Sequence, residues 1–126
     1  MPIDPILIVD DNPQNLKLVR VLLSGEGYAV STARDAEEAL TVLASFRPRL
    51  ILMDLQLPGM DGLELTRRLK ADPQRRDIIV VALTAYAMKG DEEKARAAGC
   101  DDYIAKPIDT DALPAMIARH LDWMAP

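Results

Sequence analysis

The sequence predicts an α/β domain: one parallel sheet with helices on both faces. Three observations predict it. Short apolar runs at residues 6–9, 50–53, 78–83 and 103–105 have the length and composition of buried strands. Stretches of helical periodicity separate them, the alternation that winds a parallel sheet. Each run also ends in an ionisable or hydroxyl residue: Asp10-Asp11, Asp54, Thr84 and Lys106.

The chain of 126 residues is long enough for one sizeable core, so a single domain over 1–126 with no second, output domain is expected. Hydrophobic residues make up 49% and charged residues 28%, ordinary values for a globular protein. The longest apolar run, residues 78–83, is six residues, against the roughly 20 that a membrane span needs. The start, with Pro2, Asp4 and Pro5, has neither the basic nor the long apolar region of a signal peptide. Cys100 is the only cysteine, which excludes an internal disulfide and fits a reducing cytoplasm. A net charge of −5 argues against a nucleic-acid-binding surface.

Residues 6–9 form the first strand. Asn12 then caps a helix with Pro13 at its first position, and Gly25 or Gly27 stops it. Leu16, Val19 and Leu23 make one stripe of that helix; Leu18, Val21 and Leu22 make a second. So wide an apolar arc means either deep burial or a docked partner. Residues 28–32 alternate and read as an edge-like strand. Asp35 opens the next helix, whose inner stripe is Ala36, Ala39, Leu40, Leu43 and Phe46, and Pro48 ends it. The central run follows, then a turn-rich loop at 57–62 and a helix from Leu63 to Ala71.

After the fourth run the pattern is less decided. Asp91-Glu92-Glu93 looks like the acidic first turn of a helix. Gly90 interrupts the stretch before it, so residues 85–90 read as weakly held. The fifth run follows Gly99, and the last helix begins near residues 109–111 and reaches about Asp122. Pro114 favours the later start, with Thr110 or Asp111 as the cap.

Asp54 has two readings on its own: a rim carboxylate delivered by a buried strand, or the cap of a turn into Pro58-Gly59. The other strand ends tip the balance. Right-handed crossovers bring every strand's carboxyl end to one edge, where open parallel sheets bind ligands. Asp10, Asp11 and Asp54 converging there repel one another, a cost that a hard divalent cation such as Mg²⁺ removes. With the Thr84 hydroxyl and the Lys106 amine, this set suits a phosphoryl group. Asp54, on the middle run, is the best nucleophile, forming an acyl phosphate. It needs no general base, being ionised at neutral pH. His120 reads as a solvated residue of the last helix, and Cys100 as a small core or loop residue.

Residues 8–12, 52–62, 83–85 and 103–108, in this order and spacing, resemble a response-regulator receiver domain over essentially the whole chain. The resemblance implies a flavodoxin-like fold of strand order 2-1-3-4-5 with five helices. It implies that Asp54 accepts phosphate from the phosphohistidine of a histidine kinase or histidine phosphotransfer protein. Asp11, Asp54 and the backbone carbonyl of Gln56 would ligate Mg²⁺, with Asp10 helping through water. Lys106 and Thr84 would grip the phosphoryl oxygens. Thr84 moving inward would let Tyr103 follow, remodelling a face that binds a downstream protein or kinase. The Lys106–Pro107 bond would be cis. Residues 83–94 are similar both to standalone cell-cycle receivers of the DivK type and to receivers attached to hybrid histidine kinases. A chain starting at Met1 favours the first; a piece excised from a hybrid kinase would look the same.

Two rivals come from other classes. A Mg²⁺-dependent phosphohydrolase with an aspartyl nucleophile, of the haloacid dehalogenase type, carries Asp-x-Asp on its first strand; here Asp10 and Asp11 are adjacent. A nucleotide-binding domain lacks its glycines, since residues 10–14 hold none. Gln56 and Tyr86 flank the site at positions that tune hydrolysis.

Overall fold

The computed structural model describes residues 4–84 and 89–123, and the order of elements alternates strand and helix throughout. These are β1 (Pro5–Val9), α1 (Pro13–Gly25), β2 (Ala29–Ala33), α2 (Ala36–Leu43), β3 (Leu50–Asp54), α3 (Gly62–Ala71), β4 (Ile79–Thr84), α4 (Lys89–Ala98), β5 (Asp102–Ala105) and α5 (Leu113–Trp123). The five strands form one parallel sheet in the order β2-β1-β3-β4-β5. The fold is thus the flavodoxin-like, doubly wound one that the sequence implies.

Alternation along each strand splits the core in two. Leu7, Val9, Ile51, Met53, Val80 and Ala82 face α2, α3 and α4. Ile6, Ile8, Leu50, Leu52, Val81 and Leu83 face α1 and α5. β3, apolar on both sides, is buried along its whole length. Each such side chain contributes about 1.5–3 kcal/mol by leaving water, which is why an uninterrupted apolar run can only be a central strand.

The helix ends follow their caps. Asn12 accepts from the N–H groups of Gln14 and Asn15 at 2.9 and 3.2 Å, with Pro13 just inside. Asp35 accepts from Glu38 N–H and Asp61 from Glu64 N–H, both at 2.8 Å. Gly27 holds φ +96°, a conformation open to glycine, as the chain leaves α1 for β2.

Several boundaries differ from the sequence reading; α3, for one, takes in Gly62, which that reading leaves in the loop before it. β2 starts at Ala29 rather than Tyr28 and runs on to Ala33, its register set by pairing with β1. α2 stops at Leu43 instead of running towards Pro48: Ala44 and Ser45 N–H reach back only three residues, to Thr41 and Val42, tightening the last turn. Phe46 still packs against the core from beyond the helix. α4 begins at Lys89, so Gly90 lies inside the helix and not in a weak segment before it; residues 85–88 of that proposed segment, Tyr86 included, lie outside the described residues. α5 starts later than expected. Asp109 caps a preliminary turn through the N–H groups of Asp111 and Ala112, and the helix proper begins at Leu113. Pro114 therefore falls in the first turn, where its missing N–H costs nothing.

Candidate functional site

Four strands of the sheet deliver the site. β1 ends at Val9, and Asp10 follows, its N–H bonded to Ala33 O on β2 at 3.1 Å. β3 ends on Asp54 itself, which pairs in register with Leu83 of β4. One residue further, Thr84 closes β4 opposite Ala105, the last residue of β5. Lys106 follows immediately, its N–H donating to Thr84 O at 2.7 Å. The Lys106–Pro107 peptide bond is cis.

The side chains meet. Lys106 Nζ lies 3.0 Å from Asp54 Oδ2 and 3.1 Å from Asp10 Oδ2, so one ammonium bridges two buried carboxylates. The remaining oxygens are also held. Asp54 Oδ1 accepts from Gln56 N–H at 2.9 Å, and Asp10 Oδ1 accepts from Asn12 N–H at 2.9 Å. Asn15, from the first turn of α1, adds a longer bond to Asp10 Oδ2 at 3.4 Å. Asp10 is wholly buried and Asp54 nearly so; Asp11 and Gln56 face solvent. Thr84 is buried, and Tyr103 is half-buried against the core under α2, α3 and α4.

Electrostatics follow from this burial. Loss of water pushes the Asp54 carboxyl above its ordinary range, and the Asp10 charge adds to the push. The Gln56 N–H bond and Lys106 oppose it without cancelling it. Burial alone would lower Lys106, but the two carboxylates outweigh it and raise its pKa. The ammonium is therefore locked on.

Asp10, Asp11 and Asp54 each offer an oxygen within 4.8 Å of the others. Three carboxylates with no sulfur or imidazole among them make a hard-oxygen donor set, the kind that suits Mg²⁺ or another hard divalent cation. Asp11, exposed, leaves the cluster open on one side to water and to an incoming anion.

Of the sequence-predicted site residues, the side chains of Asp10, Asp11, Asp54 and Lys106 therefore converge, while Thr84 is placed beside them by its backbone and Tyr103 lies two residues before Ala105 on the adjoining strand. Sequence reasoning missed the support. Asn12 and Asn15 each look like ordinary helix-start residues, yet both bond to Asp10. It also misread His120, which is not solvated. Its Nε2 lies 2.7 Å from Asp102 Oδ2, both side chains half-buried. Asp102 opens β5 at the end opposite the site, so the imidazole is no base for Asp54. Burial would raise the Asp102 carboxyl, but this bond, the Tyr103 N–H and nearby positive charge together draw it below its usual range. Cys100 is a small core residue, its thiol pushed up by burial.

Comparison with known proteins agrees with this geometry. A family model described as the response regulator receiver domain matches residues 6–118. The polar-differentiation response regulator DivK of Brucella anthropi is 47% identical over 116 residues, 92% of this chain and 94% of the relative. A CheY-like receiver domain from Methanospirillum hungatei superposes with a TM-score of 0.88 at 33% identity, covering 96% of this chain and 95% of that one. The receiver domain of a sensor histidine kinase from Pseudomonas aeruginosa, solved with magnesium coordinated in its active site cleft, gives 0.84 at 36% identity, covering 94% and 97%. The chain belongs to the response regulator receiver domain family.

Proposed function

We propose that the protein is a phosphoryl-accepting switch of the DivK type, with Asp54 as the acceptor. One observation carries the reading: the Asp54 carboxylate ends the central strand, buried, bridged by Lys106 to Asp10, beside an open oxygen cluster. The donor is a phosphohistidine on a histidine kinase or histidine phosphotransfer protein. An Asp54 oxygen attacks phosphorus, the P–N bond breaks, and the imidazole leaves with the electron pair. Asp54 reacts as the anion, so no base is required.

Asp10, Asp11, Asp54 and the backbone carbonyl of Gln56 would hold Mg²⁺; when bound, it neutralises charge on the phosphoryl oxygens. Lys106 moves from its carboxylate pair to a phosphoryl oxygen, and the Thr84 hydroxyl takes another. Thr84 and Lys106 are joined through backbone at 2.7 Å, and Thr84 pairs with the strand that carries Tyr103. A pull at the site therefore reaches the face of α4, β5 and α5. A groove of about 380 Å³ there, lined by Ile104, Ile108, Leu113 and Met116, is apolar enough to take a partner's side chains. The output is then altered binding to a downstream protein or kinase, in the cytoplasm, and involves neither membrane nor nucleic acid. No described helix is long and apolar enough to cross a membrane.

The 47% identity to DivK supports a cell-cycle role above that of a kinase-attached receiver, the sensor histidine kinase receiver from Pseudomonas aeruginosa being 36% identical. A small phosphoester separates the switch from a Mg²⁺-dependent aspartyl phosphohydrolase. The switch takes up at most one phosphoryl group per chain and then hydrolyses it slowly; many turnovers per minute would make it an enzyme.

A further inference from the structure

We infer that Gly62 is a positioning residue for Asp54: the lack of a side chain there lets the start of α3 bear directly on the acceptor's backbone. The inference rests on the reading of Asp54 as the acceptor. Gly62 is the first residue of α3 and is buried. A β-carbon built on it falls 2.4 Å from Asp54 O, 2.9 Å from Leu55 Cα and 3.1 Å from the Asp54 carbonyl carbon. All three are backbone atoms, so no side chain can swing away to make room. Conformation is not the reason for glycine here. The left-handed glycines are Gly27, Gly59 and Gly99, and Gly62 is not one of them. What the position requires is space.

The backbone on which Gly62 rests is held from two sides. Leu55 N–H donates to Leu83 O of β4 at 3.0 Å, and Gly62 N–H donates to Leu55 O at 3.3 Å. Gln56 N–H then fixes Asp54 Oδ1. Moving residues 54–55 therefore moves the carboxylate and the Gln56 peptide together. Gly62 is secured in turn. The hydroxyl of Thr66, wholly buried, donates to Gly62 O at 2.7 Å, and the Cys100 thiol donates to that hydroxyl at 3.9 Å. Cys100, Thr66 and Gly62 thus form a column of small buried groups behind the acceptor.

The test compares the wild type with Gly62→Ala and with Gly25→Ala, a control whose added methyl meets nothing within 4 Å. Two quantities are read: the rate of Asp54 labelling by acetyl phosphate, and Mg²⁺ affinity from the dependence of Tm on Mg²⁺ concentration. Misplacing a reacting group by a fraction of an ångström to 1 Å costs roughly 10- to 100-fold in rate. Folded Gly62→Ala should therefore label at least about tenfold more slowly and bind Mg²⁺ more weakly, with Gly25→Ala at the wild-type rate. Lower stability with unchanged labelling and affinity overturns the inference. Should Gly62→Ala not fold, Thr66→Val decides: it should label more slowly and Thr66→Ser should restore the rate, whereas Thr66→Val at the wild-type rate overturns it. A wild type that takes no label at Asp54 would instead defeat the acceptor reading.

Discussion

His120 Nε2 and Asp102 Oδ2 stand 2.7 Å apart, tying the last helix to the first residue of the last strand. The pair lies next to Tyr103, whose N–H Asp102 also accepts at 2.8 Å. It fixes how α5 sits on β5, on the face proposed to bind a partner.

His120→Ala should destabilise the fold by about 1–2 kcal/mol, the range between an ordinary hydrogen bond and one to a charged group. The pH dependence follows from Asp102, whose folded pKa is depressed. Its contribution is present above the unfolded carboxylate value and is lost as pH falls through the folded value. The gap between wild type and variant in urea unfolding should therefore be open at neutral pH and close in acid. A gap that persists unchanged in acid would contradict the assignment.

Asp54 has the opposite sign. Its folded pKa is raised, chiefly by burial, so the ionised form weighs against folding at neutral pH. In metal-free buffer Asp54→Asn should be more stable than wild type at neutral pH. The advantage should vanish as pH falls below the Asp54 pKa, where the wild type takes up the proton itself. Adding Mg²⁺ should raise the wild-type Tm more than that of the variant, and chelation should reverse it.

Lys106→Met removes the cation between two buried carboxylates. Metal-free, it should cost about 3 kcal/mol, as breaking a buried pair does. The raised Lys106 pKa means this contribution is complete below the ordinary lysine value and fades only as pH rises through the higher folded one. The loss should therefore be constant across the neutral range, and Mg²⁺ should recover part of it. Chemical unfolding with and without the ion measures both.

Leu18 and Val21 are 45% and 64% exposed on α1, while Leu16, Val19 and Leu23 are buried. The wide arc thus resolves into a core stripe and a surface stripe. Val21→Glu should slow transfer from a phosphohistidine protein about tenfold, as losing a central apolar contact can. Labelling by acetyl phosphate, which needs no docking, should not change.

Gly90→Ala adds a methyl that meets nothing within 4 Å, inside α4. It should stabilise that helix, by at most about the 0.5–1 kcal/mol of a helix-interior site, read as slower amide exchange at residues 92–98. Faster exchange would mean that the position needs glycine.

The sheet was legible because each strand is an apolar run bounded by polar residues, and burial on both faces permits little else. The convergence of Asp10, Asp54, Thr84 and Lys106 followed from crossover handedness alone. Part of what stayed hidden lies in contacts between elements. His120 and Asp102 are eighteen residues apart with no periodic link. Gly62 reads as part of a turn, and only the packing of α3 onto β3 reveals its contact with Asp54 O. The end of α2 was missed because Ala44 and Ser45 carry no stop signal; a tightened last turn ends the helix. In α4, Gly90 suggested a break, yet it is the second residue of the helix, and an added β-carbon there would meet nothing within 4 Å.

The most direct test is to incubate the protein with acetyl phosphate and Mg²⁺ and map the modified residue by mass spectrometry after trapping the acyl phosphate. The account predicts one phosphoryl group per chain, on Asp54, dependent on the metal and absent from Asp54→Asn. Modification of another residue, or none under conditions that keep Mg²⁺ bound, would contradict it.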